Sequence, residues 1–127
     1  IPQLILKADK GLNPFPVWGD GSQVRDFVHV DDVIDALLLV TEKNPTATAY
    51  NVASGTPTTV KELVETIVGA YGYNPKIEYD ITKPSMIPKR LVNVSKIKDD
   101  LGWEAKTSLK CGIEETVNWY RSNKHLN

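Results

Sequence analysis

Helix-like and strand-like segments alternate along this sequence, and that order constrains the fold more than any other feature. Apolar residues recur at helical spacing in five stretches, which short apolar or alternating runs separate. Helices that alternate with short strands indicate an α/β or an α+β fold. The predicted helices span residues 1–10, from Asp31 or Asp32 to about Lys43, 60–71, 95–101, and from Thr107 or Ser108 onward. The predicted strands span residues 17–18, 26–30, 49–54 and 76–79.

Several of these boundaries carry their own chemical signal. Thr59 and Glu62 have the spacing of a capping box, in which each side chain bonds the other residue's backbone amide. Gly102 is the expected C-cap residue of the fourth helix. Asp31 or Asp32 is the expected N-cap of the second helix, because a carboxylate there accepts unpaired amide hydrogens and meets the positive end of the helix dipole.

Composition excludes several functional classes. The formal net charge of −1 over 127 residues leaves no general nucleic-acid footprint, and no apolar run is long enough to span a membrane. Cys111 is the only cysteine, so the chain forms no internal disulfide, which fits a cytoplasmic location. The sequence begins at Ile1 and its only methionine is Met86. We therefore interpret it as a fragment from which processing or truncation removed the preceding part.

No stretch predicts a metal site or a catalytic dyad. His29 and His125 are far apart, and neither has a cysteine or histidine at ligand spacing. Asp31 and Asp32 are neighbours in a predicted helix, and adjacent helical residues do not share a face. We therefore expect no metal in this chain.

Cationic and aromatic residues beside loops remain as candidates for binding. Arg25 follows the turn at residues 19–21, whose backbone amides could also face an anion. Lys83 lies in a proline-containing loop, and Trp18 beside the turn offers a flat face for a ring. Arginine suits bidentate contact with phosphate oxygens, whereas lysine acts as a point charge.

The order of motifs then resembles a known family. The sequence contains, in this order, VWGDGSQVRDFVHVDDV, YNVASG, KP, NVSKIKDDLGW and GIEETVNWY. These resemble the C-terminal half of the extended short-chain dehydrogenase/reductases, which are NAD-dependent nucleotide-sugar epimerases, dehydratases and reductases. Within that family, the tryptophan of VWG, the HVDD that follows and the basic pair after KP are most similar to the NADPH-dependent GDP-fucose synthases.

The resemblance implies roles for four residues. Arg25 matches an arginine that contacts the substrate's diphosphate, and Lys83 matches a cationic position at the same diphosphate. Trp18 matches a residue at the nucleotide edge of the pocket. Lys7, on the first helix, matches a basic residue near the phosphates in GDP-fucose synthases. The implied ligand is a nucleotide-diphosphate sugar, with a GDP-sugar favoured.

The resemblance also implies the fold class, and it implies which part of the enzyme binds the substrate and which part binds the cofactor. The class is α/β, with residues 1–127 forming the C-terminal substrate-binding portion of a Rossmann-type enzyme whose Rossmann half is missing. Residues from about 30 to 54 would pack on that half, which would bind NADP or NAD. The sequence has no glycine-rich dinucleotide fingerprint. Its one Tyr-x-x-x-Lys match, Tyr120 with Lys124, lies where the family places no chemistry. We therefore expect no catalytic or cofactor-binding residue in this chain.

Two departures from the GDP-fucose synthase pattern leave the base and the sugar open. The subfamily's KPDG is KPSM at residues 83–86, and Asn93 replaces a common aspartate. The alternatives are another nucleotide-sugar 4-epimerase or 4,6-dehydratase of the same superfamily, or a non-catalytic nucleotide-sugar-binding module. We expect a homodimer for the full-length enzyme. For this chain alone, we expect self-association through the apolar second helix and the segment after it, or displacement of that segment. The alternative is that a local rearrangement buries the segment within one chain.

Overall fold

The computed structural model describes residues 1–43, 48–83 and 87–124, in which five helices alternate with short strands. The helices are α1 (Pro2–Asp9), α2 (Val30–Lys43), α3 (Val60–Tyr71), α4 (Ser95–Leu101) and α5 (Leu109–Ser122). The strands are β1 (Phe15–Trp18), β2 (Val24–Arg25), β3 (Thr58–Thr59) and β4 (Ile77–Asp80). The predicted α/β class is confirmed.

The strands form two small pairs. β1 and β4 are parallel, with Phe15 opposite Ile77 and Trp18 opposite Asp80. β2 and β3 are antiparallel. Parallel strands end at the same edge, so the loops after Trp18 and Asp80 emerge side by side, and the Gly19 amide donates to the Asp80 carbonyl at 2.9 Å. That edge is where ligands bind in open α/β sheets.

Two apolar clusters of unequal size hold the chain together. Ten buried residues from α1, β1, α3 and α5 form the larger one, and the apolar stripe of α3 lies at its centre: Ile5, Ala8, Phe15, Val17, Leu63, Val64, Ile67, Val68, Ile113 and Val117. Ala36, Ile97 and Trp103 form the smaller one, which joins α2 to α4. Burying an aliphatic or aromatic side chain contributes roughly 1.5–3 kcal/mol. The larger cluster therefore provides most of the apolar stabilisation.

The local boundary signals are confirmed where they depend on neighbouring residues. The Thr59 hydroxyl accepts from the Glu62 amide at 3.1 Å, and the Glu62 carboxylate accepts from the Thr59 amide at 2.7 Å. Hydrogen bonds from the backbone and the side chain of Thr59 to this carboxylate lower the pKa of Glu62. Gly102 ends α4 in the left-handed conformation, with φ of 72°. Ser108, rather than Thr107, is the N-cap of α5.

The predicted N-cap of α2 is wrong. α2 begins at Val30, so Asp31 and Asp32 lie inside its first turn. The buried Asp32 carboxylate instead accepts hydrogen bonds from the backbone amides of Lys106, at 3.1 Å, and Thr107, at 3.0 Å. Asp32 therefore ties α2 to the segment that leads into α5.

Two predicted strands are also wrong. Residues 26–30 form no strand, because the partner β3 lies opposite Val24 and Arg25 and pairs with them instead. Residues 49–54 are irregular, and Tyr50 and Val52 pack on the smaller apolar cluster. Within the described residues no strand runs beside residues 49–54 to complete a ladder. The predicted helix breaker at residues 44–47 lies outside the described residues.

One apolar face of α2 is exposed. Val30, Ile34, Leu37 and Leu38 are between 47% and 65% exposed, and the buried residues of the helix are Asp32 and Ala36. An apolar face of this kind is a surface on which another chain segment can pack.

Candidate functional site

Trp18 lies at the carboxyl end of β1 and projects away from the core. Residues alternate along the strand, so Phe15 and Val17 are buried while Pro16 and Trp18 face outward. The indole is 64% exposed. Trp18 therefore presents a flat apolar face at the edge where the loops after β1 and β4 meet.

Lys7 and Trp18 line the same cleft. The Lys7 Nζ atom donates to the Pro16 carbonyl at 2.8 Å, which holds the lysine of α1 across the outer face of β1. The cleft has a volume of about 560 Å³, and its lining residues are Gln3, Leu4, Lys7, Val17, Trp18 and Val60. The two residues that the resemblance assigned to the nucleotide edge and the phosphates thus lie together.

Lys83 contacts Trp18 from the loop after β4. Its Nζ atom lies 5.9 Å from the centroid of the indole ring, within the range of a cation–π interaction. Its amide donates to the Asp80 carbonyl, at 3.3 Å. Hydrogen bonds from Thr82, together with the charge of Lys83, lower the pKa of Asp80. The structure therefore groups Lys7, Trp18 and Lys83 at one edge of the parallel pair.

Arg25 lies on β2 and not among the residues that line the Trp18 cleft in the described part of the chain. Its Nη1 atom donates to the Val24 carbonyl at 2.8 Å. The backbone of β2 is held on one side by β3 and on the other by residues 88–90. The structure thus fixes the backbone position of Arg25. That Arg25 and Lys83 contact the same anion stays a prediction.

Asp26 holds the segment after Arg25 in place, a role that the sequence analysis missed. Its carboxylate accepts from the Ser54 amide at 2.8 Å, the Ser54 hydroxyl at 2.6 Å and the Gly55 amide at 3.0 Å. An aspartate directly after the arginine and a Ser-Gly pair in the YNVASG motif were the available signals. The pairing of residues so distant in sequence could not be read from either.

The Asp20 side chain of the turn at residues 19–21 bonds the two residues that follow the turn. The Asp20 carboxylate accepts from the Ser22 hydroxyl at 2.7 Å, the Ser22 amide at 2.9 Å and the Gln23 side-chain amide at 2.9 Å. The Ser22 bonds lower the pKa of Asp20. Within the turn, the Gly19 amide already donates to the Asp80 carbonyl, and contact of the turn's other amides with an anion stays a prediction.

Glycine is required within that turn. Gly21 has φ of 80°, and a Cβ atom there would lie 2.5 Å from the Tyr79 ring. The backbone conformation disfavours any other residue, and a side chain there would also displace the Tyr79 ring. Gly21 therefore allows the turn to pack directly on the strand that leads to Lys83.

The glycine turn after β1 does not fit the fingerprint of a dinucleotide site. In a dinucleotide fingerprint, a glycine-rich turn after a strand opens a helix whose N-terminus meets the pyrophosphate. Here Gly19 and Gly21 follow β1, but the chain continues into β2, and the third glycine position is Val24. We therefore assign no step of NAD(P) chemistry to this chain.

One group of potential metal ligands appears among the described residues. Single ligand atoms of His29, Asp31 and Glu115 lie within 4.8 Å of one another. The two imidazole nitrogens face different carboxylates, Nδ1 towards Asp31 at 3.8 Å and Nε2 towards Glu115 at 3.5 Å. The group is thus a partly buried histidine that lies between two exposed carboxylates.

No helix in the described ranges is long and apolar enough to cross a membrane.

Comparisons with known proteins identify the family to which this chain is similar. Residues 1–116 match the model of the GDP-mannose 4,6 dehydratase family. The chain is similar to GDP-L-fucose synthase 1 of Arabidopsis thaliana, with 37% identity over 113 residues, 89% of this chain and 35% of that protein.

Solved structures show the same relationship. A dTDP-glucose 4,6-dehydratase of Bacillus anthracis in complex with NAD is 33% identical, with a TM-score of 0.84 over 98% of this chain and 39% of that one. A UDP-glucose 4-epimerase of Thermotoga maritima with UDP-glucose is 34% identical, with a TM-score of 0.74 and the same coverage. The chain thus spans less than two fifths of the length of these relatives. On the match over residues 1–116, the chain belongs to the GDP-mannose 4,6 dehydratase family, among the NAD-dependent sugar-nucleotide epimerases and dehydratases.

Proposed function

We propose that this chain is the nucleotide-sugar-binding part of an NAD(P)-dependent epimerase/reductase that acts as GDP-fucose synthases do. The observation that carries the proposal is the grouping of Lys7, Trp18 and Lys83 at the carboxyl edge of the parallel β1/β4 pair. The indole offers a stacking face for the base, and the two lysines offer positive charge for phosphates. The similarity to a GDP-L-fucose synthase over most of the chain supports the choice of a GDP-sugar.

In this proposal the chain contributes positioning rather than chemistry. Binding energy from the unreactive nucleotide part of a substrate orients the sugar that reacts. NADP or NAD would supply hydride chemistry from a Rossmann half outside this chain, and residues from about 30 to 54 would pack on that half. A cytoplasmic location and a homodimeric full-length enzyme belong to the same proposal.

The test measures affinity for GDP. Each hydrogen bond to a charged group is worth roughly 1.5–3 kcal/mol, so Arg25→Ala should raise the dissociation constant of GDP at least about tenfold, or ~1.4 kcal/mol. Titration calorimetry on the 127-residue chain measures it. Lys110→Ala is the control, because it removes one exposed positive charge from α5. Equal affinities of Arg25→Ala and Lys110→Ala would reject the assignment of Arg25.

A second candidate is a nucleotide-sugar 4-epimerase or 4,6-dehydratase that uses another base. The similarity to the Bacillus anthracis dTDP-glucose dehydratase and the Thermotoga maritima UDP-glucose epimerase favours it. Titrations with UDP and dTDP decide between the two. Tighter binding of either one than of GDP would replace the first candidate by the second. Binding without turnover in any longer protein that contains this chain would indicate a non-catalytic module.

A further inference from the structure

His29 directly precedes α2 and packs on the backbone of α5. Its carbonyl accepts from the Val33 amide at 3.2 Å, in the first turn of α2. A Cβ atom at Gly112 of α5 would lie 3.1 Å from the Cδ2 atom of His29, so the imidazole approaches α5 more closely than another residue there would allow. The side chain is 14% exposed. The imidazole is therefore held in place between the start of α2 and the α5 backbone.

One carboxylate from each helix lies beside this imidazole. Asp31, in the first turn of α2, places its Oδ2 atom 3.8 Å from Nδ1, and Glu115 of α5 places its Oε2 atom 3.5 Å from Nε2. Residues three apart on a helix are neighbours on one face, so Gly112 and Glu115 meet His29 on the same side of α5. One ligand atom from each of the three side chains lies within 4.8 Å of the other two.

The negative charge of these two carboxylates is not balanced by a basic side chain in the part of the chain that the structure describes. There, Asp31 and Glu115 form ion pairs with His29, and neither pairs with a lysine or an arginine. The adjacent Asp32 carboxylate is occupied by two backbone amides. A divalent cation between Asp31 and Glu115 would be attracted by both carboxylates.

The kind of ligand atoms in this group favours zinc. An imidazole nitrogen and carboxylate oxygens bind Zn²⁺ at about 2.0–2.2 Å, whereas Mg²⁺ and Ca²⁺ prefer oxygen ligands alone. Nε2 is the nitrogen available to a metal, because Nδ1 accepts from the Asp31 amide at 3.4 Å. The side chains of Asp31 and Glu115 are 74% and 62% exposed, so they are free to rotate towards a metal that the fixed imidazole binds.

We propose that His29, Asp31 and Glu115 form a zinc-binding site that joins α2 to α5. A cavity of about 370 Å³, which His29 and Glu115 line together with Trp119, leaves room for water as a fourth ligand. The inference departs from the sequence-based expectation of no metal, which considered ligand spacing only for cysteine and histidine. It does not rest on the proposed function, because none of the three residues lines the Trp18 cleft.

The experiment uses titration calorimetry on the 127-residue chain with Zn²⁺ and, separately, with Mg²⁺. His29→Gln and Glu115→Gln should each raise the dissociation constant of Zn²⁺ at least about tenfold, because each removes one ligand. Glu114→Gln is the matched control, since this neighbouring acid of α5 pairs with Lys110, and it should change the constant less than about twofold. Zn²⁺ should also raise the Tm of the unchanged chain more than that of Glu115→Gln.

Three outcomes would overturn the zinc site. The first is that the unchanged chain does not bind Zn²⁺, and the second is that His29→Gln and Glu115→Gln weaken binding no more than Glu114→Gln does. The third is that Mg²⁺ binds as tightly as Zn²⁺ and independently of His29, which indicates an acidic surface patch only. Circular dichroism checks that each variant is folded. If the partly buried His29 does not tolerate glutamine, the exposed Glu115 decides the question against its control.

Discussion

Replacement of Asp32 by alanine is predicted to be strongly destabilising. Its buried carboxylate accepts two backbone hydrogen bonds, from Lys106 and Thr107, and thereby joins α2 to the approach to α5. Each bond to a charged acceptor is worth roughly 1.5–3 kcal/mol, but the freed amides lie near the surface and recover water. We therefore expect a loss of about 3 kcal/mol, which corresponds to a fall in Tm of roughly 10 °C.

The assay is urea unfolding followed by far-UV circular dichroism at several pH values. Burial alone would raise the pKa of Asp32, but the bonds from Lys106 and Thr107 and the charge of His29 outweigh it and lower the pKa. A depressed folded-state pKa means that the stabilisation is complete above the unfolded value, about 3.9, and is lost as the pH falls through the folded value. The difference in the free energy of unfolding between the unchanged chain and Asp32→Ala should therefore shrink in that acid range.

Asp31→Ala is the matched control for this measurement. Asp31 is the neighbouring residue of the same type, and its side chain is 74% exposed. Loss of its exposed contact with His29 and of its charge in the first turn of α2 should change the free energy of unfolding by no more than about 1 kcal/mol. If Asp32→Ala is no less stable than Asp31→Ala at neutral pH, the link between α2 and the approach to α5 does not stabilise the fold.

Two further predictions concern the chain as a whole. The 127-residue chain should show no turnover of a keto-sugar nucleotide with NADPH, because its one Tyr-x-x-x-Lys match, Tyr120 with Lys124, lies where the resemblance places no chemistry. Steady NADPH oxidation in a spectrophotometric assay would refute this. The exposed apolar face of α2 should drive self-association at micromolar concentration, measured by sedimentation velocity, and the double variant Leu37→Glu/Leu38→Glu should be monomeric while the control Lys43→Glu should not. A monomeric unchanged chain would contradict this expectation.

Features set by neighbouring residues could be predicted from the sequence. The capping box of Thr59 and Glu62 needs only a three-residue spacing and an apolar stripe after it, so its prediction is confirmed in detail. Gly102 ends α4 for an equally local reason, its freedom to adopt positive φ. Such features do not depend on which other segments pack nearby.

Features that need a distant partner could not be predicted from local pattern. Residues 49–54 have the composition of a strand, but pattern alone does not reveal whether a neighbouring strand exists. Aspartate is a residue type favoured at N-caps, but the Asp32 carboxylate accepts hydrogen bonds from the amides of Lys106 and Thr107 instead of those of its own helix. In the candidate site, the resemblance identified Trp18 and Lys83 separately, whereas their contact depends on the parallel pairing of β1 with β4.

The inequality of the two apolar clusters has a consequence for hydrogen exchange. Local opening that separates α2 from α4 disrupts only the cluster of Ala36, Ile97 and Trp103, whereas exposure of α3 requires loss of the larger cluster as well. Amides of α2 should therefore exchange through a low-energy opening, and amides of α3 only on global unfolding. Because the bonds of Asp32 to Lys106 and Thr107 also hold α2, the exchange rates of the α2 amides report on how firmly this helix is held.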